Sequence, residues 1–270
     1  MSAVLVAVAH GSADPRASQT VGQLMATVAR RAAGLDLRTA YLSHAPPSLP
    51  QVMSTIDAGR PVTVLPLLLT AAYHTKVEIP CLLARFPRSR VRYGAPLGPH
   101  PLLLRALERR LAEADAGVLE DPARTAVVLA AAGSSDPEAN AAIAGRAEQW
   151  RARTGWLAVR PAYASAASPD PAVAVSGLLR DGARRVVVAS YLLAPGYFAD
   201  RIRDSSLAAG AVAVSPALGA SAEVRDVLLD RFREARDSGD RLQHHRRAGV
   251  AAGARGLTAA AQGASTMCRR

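Results

Sequence analysis

The sequence repeats itself once, and that repeat constrains the fold more than any other feature. Residues 9–15 read Ala-His-Gly-Ser-Ala-Asp-Pro, and residues 131–137 read Ala-Ala-Gly-Ser-Ser-Asp-Pro. Thr39-Ala40-Tyr41 recurs at the same offset as Pro161-Ala162-Tyr163, and Ser48 and Pro50 fall near Asp170 and Pro171. The apolar run ending in Tyr73-His74 matches the run ending in Tyr197-Phe198, and Ala95-Pro96-Leu97-Gly98 matches Pro216-Ala217-Leu218-Gly219. A period of roughly 120 residues is too long for a solenoid and implies two tandem copies of one domain.

Each copy alternates strand and helix signals. Val4 to Ala9 is a continuous apolar run, as a parallel strand buried on both faces requires. A Gly-Ser turn follows, then Asp14-Pro15, an N-cap residue with proline at the first helical position. Val21, Leu24, Met25 and Val28 continue at helical spacing. A second strand is expected to end near Tyr41, a short helix capped by Ser48 to run through Met53 and Ile56, and Val62 to Leu69 to form the central buried strand. Leu102 to Leu111 reads as an amphipathic helix closing the first copy. The second copy repeats the pattern, with strands near Ala126–Ala131 and Val186–Leu192 and a last helix over about Val224–Arg233. The fold class is therefore α/β, two tandem doubly wound domains with parallel sheets. The expected boundaries are 1–120 and 121–235. Beyond about Arg236 no apolar periodicity remains, and 236–270 is expected to be a disordered basic tail.

Half of the 270 residues are apolar, enough for a sizeable core, but only 4% are aromatic, which argues against a stacking platform for single-stranded nucleic acid. The formal charge is +11, almost all of it arginine, with Lys76 the one lysine. Such a body suits an anionic ligand as well as it suits nucleic acid. The two cysteines, Cys81 and Cys268, form no Cys-x-x-Cys pair, so neither a disulfide framework nor a thiolate zinc site is expected, and a reducing compartment fits. The N-terminus lacks a signal peptide's basic region, and the longest apolar stretch, Val62 to Ala72, is too short to span a bilayer. A cytoplasmic protein without membrane contact is expected.

In open parallel sheets ligands bind beyond the carboxyl ends of the strands. His10-Gly11-Ser12, Ser43-His44 and Tyr73-His74 all lie there. Two histidines, His10 and His74, thus leave two buried strands on one edge. The second copy has Ala132 and Phe198 in their places, so the duplication preserved the fold and not the imidazoles. Imidazole suits divalent iron, cobalt, nickel and zinc and can act as a general base.

At these residues the chain resembles the sirohydrochlorin chelatases, the class II tetrapyrrole chelatases. An apolar strand running into His10-Gly11-Ser12, the segment His74-Thr75-Lys76-Val77-Glu78-Ile79-Pro80, and Pro47-Ser48-Leu49 carry the likeness, which covers about residues 3–235 in the family's long, two-domain form. The resemblance implies a chelatase-like domain in each copy and a lyase that inserts a divalent metal, cobalt or iron, into sirohydrochlorin for siroheme or cobalamin biosynthesis. It implies that His10 and His74 bind the metal and accept protons, that the metal is a substrate, and that no organic cofactor is needed. Sirohydrochlorin is an acidic tetrapyrrole, which a basic protein would attract; Arg16 and Arg85 are near the relevant segments. Many members carry Glu where this chain has Ser43, so His44 or Glu78 could take that place, while Ser12 and Ser43 are expected to cap or hydrogen-bond locally.

Three other readings compete. A histidine phosphatase would need an arginine before its histidine, and Ala9 stands there. A non-catalytic metal carrier or regulator on the same scaffold would keep the two imidazoles without turnover. Nucleic-acid binding by the tail has charge but no recognised motif.

Overall fold

The computed structural model describes residues 3–86 and 90–249. The first copy runs β1 (Val4–Ala9), α1 (Pro15–Arg31), β2 (Asp36–Tyr41), α2 (Leu49–Ser54), β3 (Pro61–Pro66), a single π turn (His74–Glu78), α3 (Ile79–Leu83), β4 (Arg90–Tyr93) and α4 (Pro101–Ala114). The second runs β5 (Thr125–Ala131), α5 (Pro137–Thr154), β6 (Ala158–Tyr163), α6 (Pro171–Arg180), β7 (Arg185–Tyr191), α7 (Tyr197–Ala208), β8 (Ala213–Val214) and α8 (Ala222–Gly249). The helices begin where chain chemistry says they must. Asp14, Asp136 and Asp170 each accept a backbone N–H two residues on and are followed by proline, and Ser48 forms a capping box with Gln51.

Two parallel sheets have equivalent orders, β2-β1-β3-β4 and β6-β5-β7-β8. The registers Val8 with Pro66 and Ala130 with Ser190 fix which residues of the copies correspond. Each sheet has its own outer core: Val4, Val6, Val8, Leu49, Met53 and Ile79 in one, Val128, Ala130, Val175, Leu178 and Ile202 in the other. The inner faces share a single core, in which Leu5 and Leu65 join Val127, Leu129, Trp150 and Phe232.

That shared core corrects one expectation. The helix expected to close the first copy, α4, packs instead on β7 and β8 of the second sheet, whereas α8 packs on β3, β4 and α1 of the first. Arg110 on α4 donates to the carbonyl of Leu218, and Arg231 on α8 donates to the carbonyls of Pro96 and Pro99. The closing helices are exchanged. Periodicity shows that a helix has a face to bury, but it does not say against which of two similar sheets.

α8 also runs on to Gly249, past the end expected near Arg233, so the tail expected from 236 begins as helix. Arg231–Glu234 and Arg233–Asp230 pairs at helical spacing carry the helix past Arg233. Residues 250–270 of that tail lie outside the described residues. Among the described residues no helix is long and apolar enough to cross a membrane.

Candidate metal and macrocycle site

β1 and β3 are neighbours in the first sheet, and β1 is followed by a connection to one side and β3 by the continuation on the other. Their carboxyl ends form the crevice where a parallel sheet offers room for a ligand. His10 follows β1 directly, and His74 opens the π turn beyond β3. Their rings meet edge to face with centroids 4.7 Å apart. Strand polarity therefore brings together the two residues that the sequence singled out.

The backbone after His74 is set by its neighbours. Ile79 N–H bonds the His74 carbonyl, closing a turn one residue wider than α, and Pro80 has no N–H with which to continue an α register. Glu78 lands over His74, and its Oε2 lies 2.5 Å from His74 Nδ1. At His10, Nδ1 lies 3.0 Å from the Gly11 carbonyl oxygen. A carbonyl or a carboxylate only accepts, so each Nδ1 donates its N–H and Nε2 is the nitrogen left to meet a ligand. A carboxylate behind a histidine fixes the tautomer and raises the basicity of the other nitrogen.

Gly11 has a φ of 90°, and a β-carbon there would lie 1.7 Å from the Ser43 carbonyl oxygen, so no other residue fits. Ser43 itself donates its Oγ–H to the His10 carbonyl. Ser165 does the same to the Ala132 carbonyl in the second copy, so this serine is a repeated support for the loop and not a vacated ligand. Ser12 accepts from Asp14 N–H, as expected. His44 lines the same cleft, but among the described residues no three His, Cys, Asp or Glu side chains converge as a metal cluster. The site is two imidazoles with open positions around them.

Around this pair lies a cleft of about 820 Å³ between the carboxyl edges of both sheets. Its wall on one side includes His10, Leu67, Leu69, Tyr73 and His74; the other includes Ile143, Tyr191, Tyr197 and Phe198. Aromatic residues are scarce in the chain, yet Tyr41, Tyr73, Tyr191, Tyr197 and Phe198 all line this one cleft. Tyr197 is 72% exposed and Tyr73 54%, which large rings reach only where something else covers them or solvent must be tolerated. Tyr191, at the floor, is fully buried, and burial drives its phenol far above the ordinary range, so it stays neutral and bonds the Leu69 carbonyl across the copies. Among the described residues no arginine or lysine lines the cleft. Arg16 stands at its rim, paired with Asp14 and Asp200, and Arg85 is not part of the wall.

The sequence reading missed two features. The equivalence of Ser43 and Ser165 was visible in the repeat and would have shown the serine to be structural. Lys76 is the other; its counterpart Asp200 and the pair Arg16 and Glu138 carry opposite charges at matching positions, a pattern that gains meaning only when the two copies are brought together.

The CbiX family model matches residues 4–114 and again 126–235. Over 205 residues, 73% of this chain, it is 30% identical to a sirohydrochlorin cobaltochelatase of Priestia megaterium, of which the match spans 66%. Over 213 residues, 76% of the chain, it is 30% identical to a sirohydrochlorin ferrochelatase of the same organism, of which 77% is covered. Among solved structures, SirB from Bacillus subtilis with Fe3+ superposes with a TM-score of 0.75 at 24% identity, over 89% of this chain and 98% of that one.

Proposed function

This chain belongs to the CbiX family, and from that premise we propose that it inserts a divalent metal, cobalt or iron, into sirohydrochlorin, with His10 and His74 as the metal's landing site and as the proton acceptors. The observation that carries the reading is the pair of imidazoles meeting at 4.7 Å in a cleft whose remaining lining is mostly apolar and aromatic, with small uncharged polar groups and His44 among it. Two neutral nitrogens hold a divalent ion without surrounding it. A flat macrocycle enters the cleft with one face toward the imidazoles and the other against Tyr197 and Phe198. As each metal–Nε2 bond is exchanged for a metal–pyrrole nitrogen bond, the freed imidazole lone pair takes the pyrrole proton. On His74 the resulting imidazolium is stabilised by Glu78, which lies against Nδ1. The protons leave to solvent, since His10 is exposed and the His74 side chain is 38% exposed.

The same reading makes the protein a cytoplasmic lyase whose partners are the metal and the macrocycle, without nucleic acid or membrane. The macrocycle's carboxylates project from the neutral wall to the rim and solvent, where the basic body favours them. An anaerobic insertion assay with sirohydrochlorin and either Co(II) or Fe(II) tests the proposal. Acceleration with at least one metal is expected; no acceleration with either, in protein that binds Co(II), would leave the carrier reading in its place.

A further inference from the structure

Two ion-pair clasps join the copies at the mouth of the cleft, in equivalent positions and with opposite polarity. In the first, Lys76 from the π turn reaches the second copy, with Nζ 2.8 Å from Asp136 Oδ2 and 2.8 Å from Glu138 Oε2. In the second, Asp200 from α7 reaches the first copy, with Oδ2 2.5 Å from Arg16 Nη2, and Arg16 also holds Asp14 at 2.6 Å. The strand registers make Lys76 the counterpart of Asp200, Asp14 that of Asp136, and Arg16 that of Glu138. The same contact is built twice, with cation and anion exchanged.

We propose that Lys76 is a positioning residue for the metal site, and that the second copy, which lacks both histidines, fixes His74 through it. Lys76 lies two residues after His74 and two before Glu78, inside the one turn that carries the His74–Glu78 pair. That turn follows a long connection from β3 and is continued only by the short α3. Asp136 caps α5 and accepts Glu138 N–H, so the first clasp ties the turn to the start of a helix whose Ile143, Ala147 and Trp150 are buried in the shared core. Across the cleft, Arg16 and Asp200 fix the helix that presents Tyr197 and Phe198. The two clasps thereby set the imidazole wall and the aromatic wall against each other. The inference rests on the reading of His74 as a metal group.

The test uses the full chain and reads Co(II) affinity by anaerobic titration of the visible absorption, alongside KM and kcat for sirohydrochlorin. Lys76→Met should weaken Co(II) binding about threefold to fivefold, the range an exposed ion pair can supply. Lys76→Asp, which faces its carboxylate with two others, should weaken it about tenfold, a like-charge contact replacing an attractive one. Lys76→Arg should bind as the parent does. Lys76→Asp combined with Glu138→Arg rebuilds the first clasp with the polarity of the second, and should recover most of the lost affinity. High salt should shrink the difference between parent and Lys76→Met, because the pairs are exposed. Parent-like affinity in Lys76→Asp, or no recovery in the double variant while its melting temperature matches the parent, would overturn the proposal. Weakened binding by these variants in a protein that never turns over sirohydrochlorin would uphold the clasp and remove the chelatase reading instead.

Discussion

The two copies share a strand order, their helix caps and the loop-supporting serine, and they differ where the cleft walls face each other. His10 and His74 stand in one wall; Ala132, Tyr197 and Phe198 stand in the other. The difference extends behind the wall. Glu78 backs His74, whereas its counterpart Ile202 is fully buried in the outer core of the second sheet. Pro80 confines the first copy to a π turn followed by a short helix, whereas Asp204 at the matching place lets α7 run as one regular helix. The comparison teaches that one copy carries the imidazoles and the other supplies a surface and anchors. A metal held from one side only leaves the opposite face of a flat ligand free to pack.

The largest expected effect comes from removing the distinction at its source. His10→Ala and His74→Ala should each nearly abolish metal insertion in the anaerobic assay; near-normal rates in both would break the two-wall account. Glu78→Gln keeps the shape and removes the charge behind His74, and should lower Co(II) affinity by about tenfold to a hundredfold. Grafting imidazoles into the second wall, Ala132→His with Phe198→His, should produce a second Co(II) equivalent in the titration. It should bind about tenfold to a hundredfold more weakly than the first, because no carboxylate stands behind it where Ile202 is buried. A second site as tight as the first would show that the backing carboxylate contributes nothing. The smallest effect belongs to the aromatic wall. Phe198→Ala should raise KM for sirohydrochlorin about fivefold, as expected from about 1 kcal/mol of lost ring packing, with kcat little changed.

Much of this was legible in the sequence because the signals are local or are doubled. The run Val4–Ala9 and the Asp-Pro caps at Asp14, Asp136 and Asp170 mark elements through steric and capping rules that need no tertiary partner. His10 and His74 were legible because strand polarity alone sends both to the same edge. The role of Glu78 was not, since it depends on the turn that Pro80 imposes. The exchange of α4 and α8 was hidden for a different reason: Leu103, Leu104 and Leu107 announce a buried face, and either sheet could have received it. The clasps were hidden because each joins residues far apart in sequence, and a single lysine at position 76 says nothing until Asp136 and Glu138 are brought beside it.

The exchanged helices also bear on how the protein comes into being. Leu65 on β3 and the backbone of Gly94 are covered by α8, near Ala235 and Arg231, at the far end of the chain. During synthesis α1 can cover the inner face over β1, but the part over β3 and β4 stays open until α8 of the second copy has been made. The two imidazoles gain their settled surroundings only then. The cleft around His10 and His74 is thus walled only once both copies have been made.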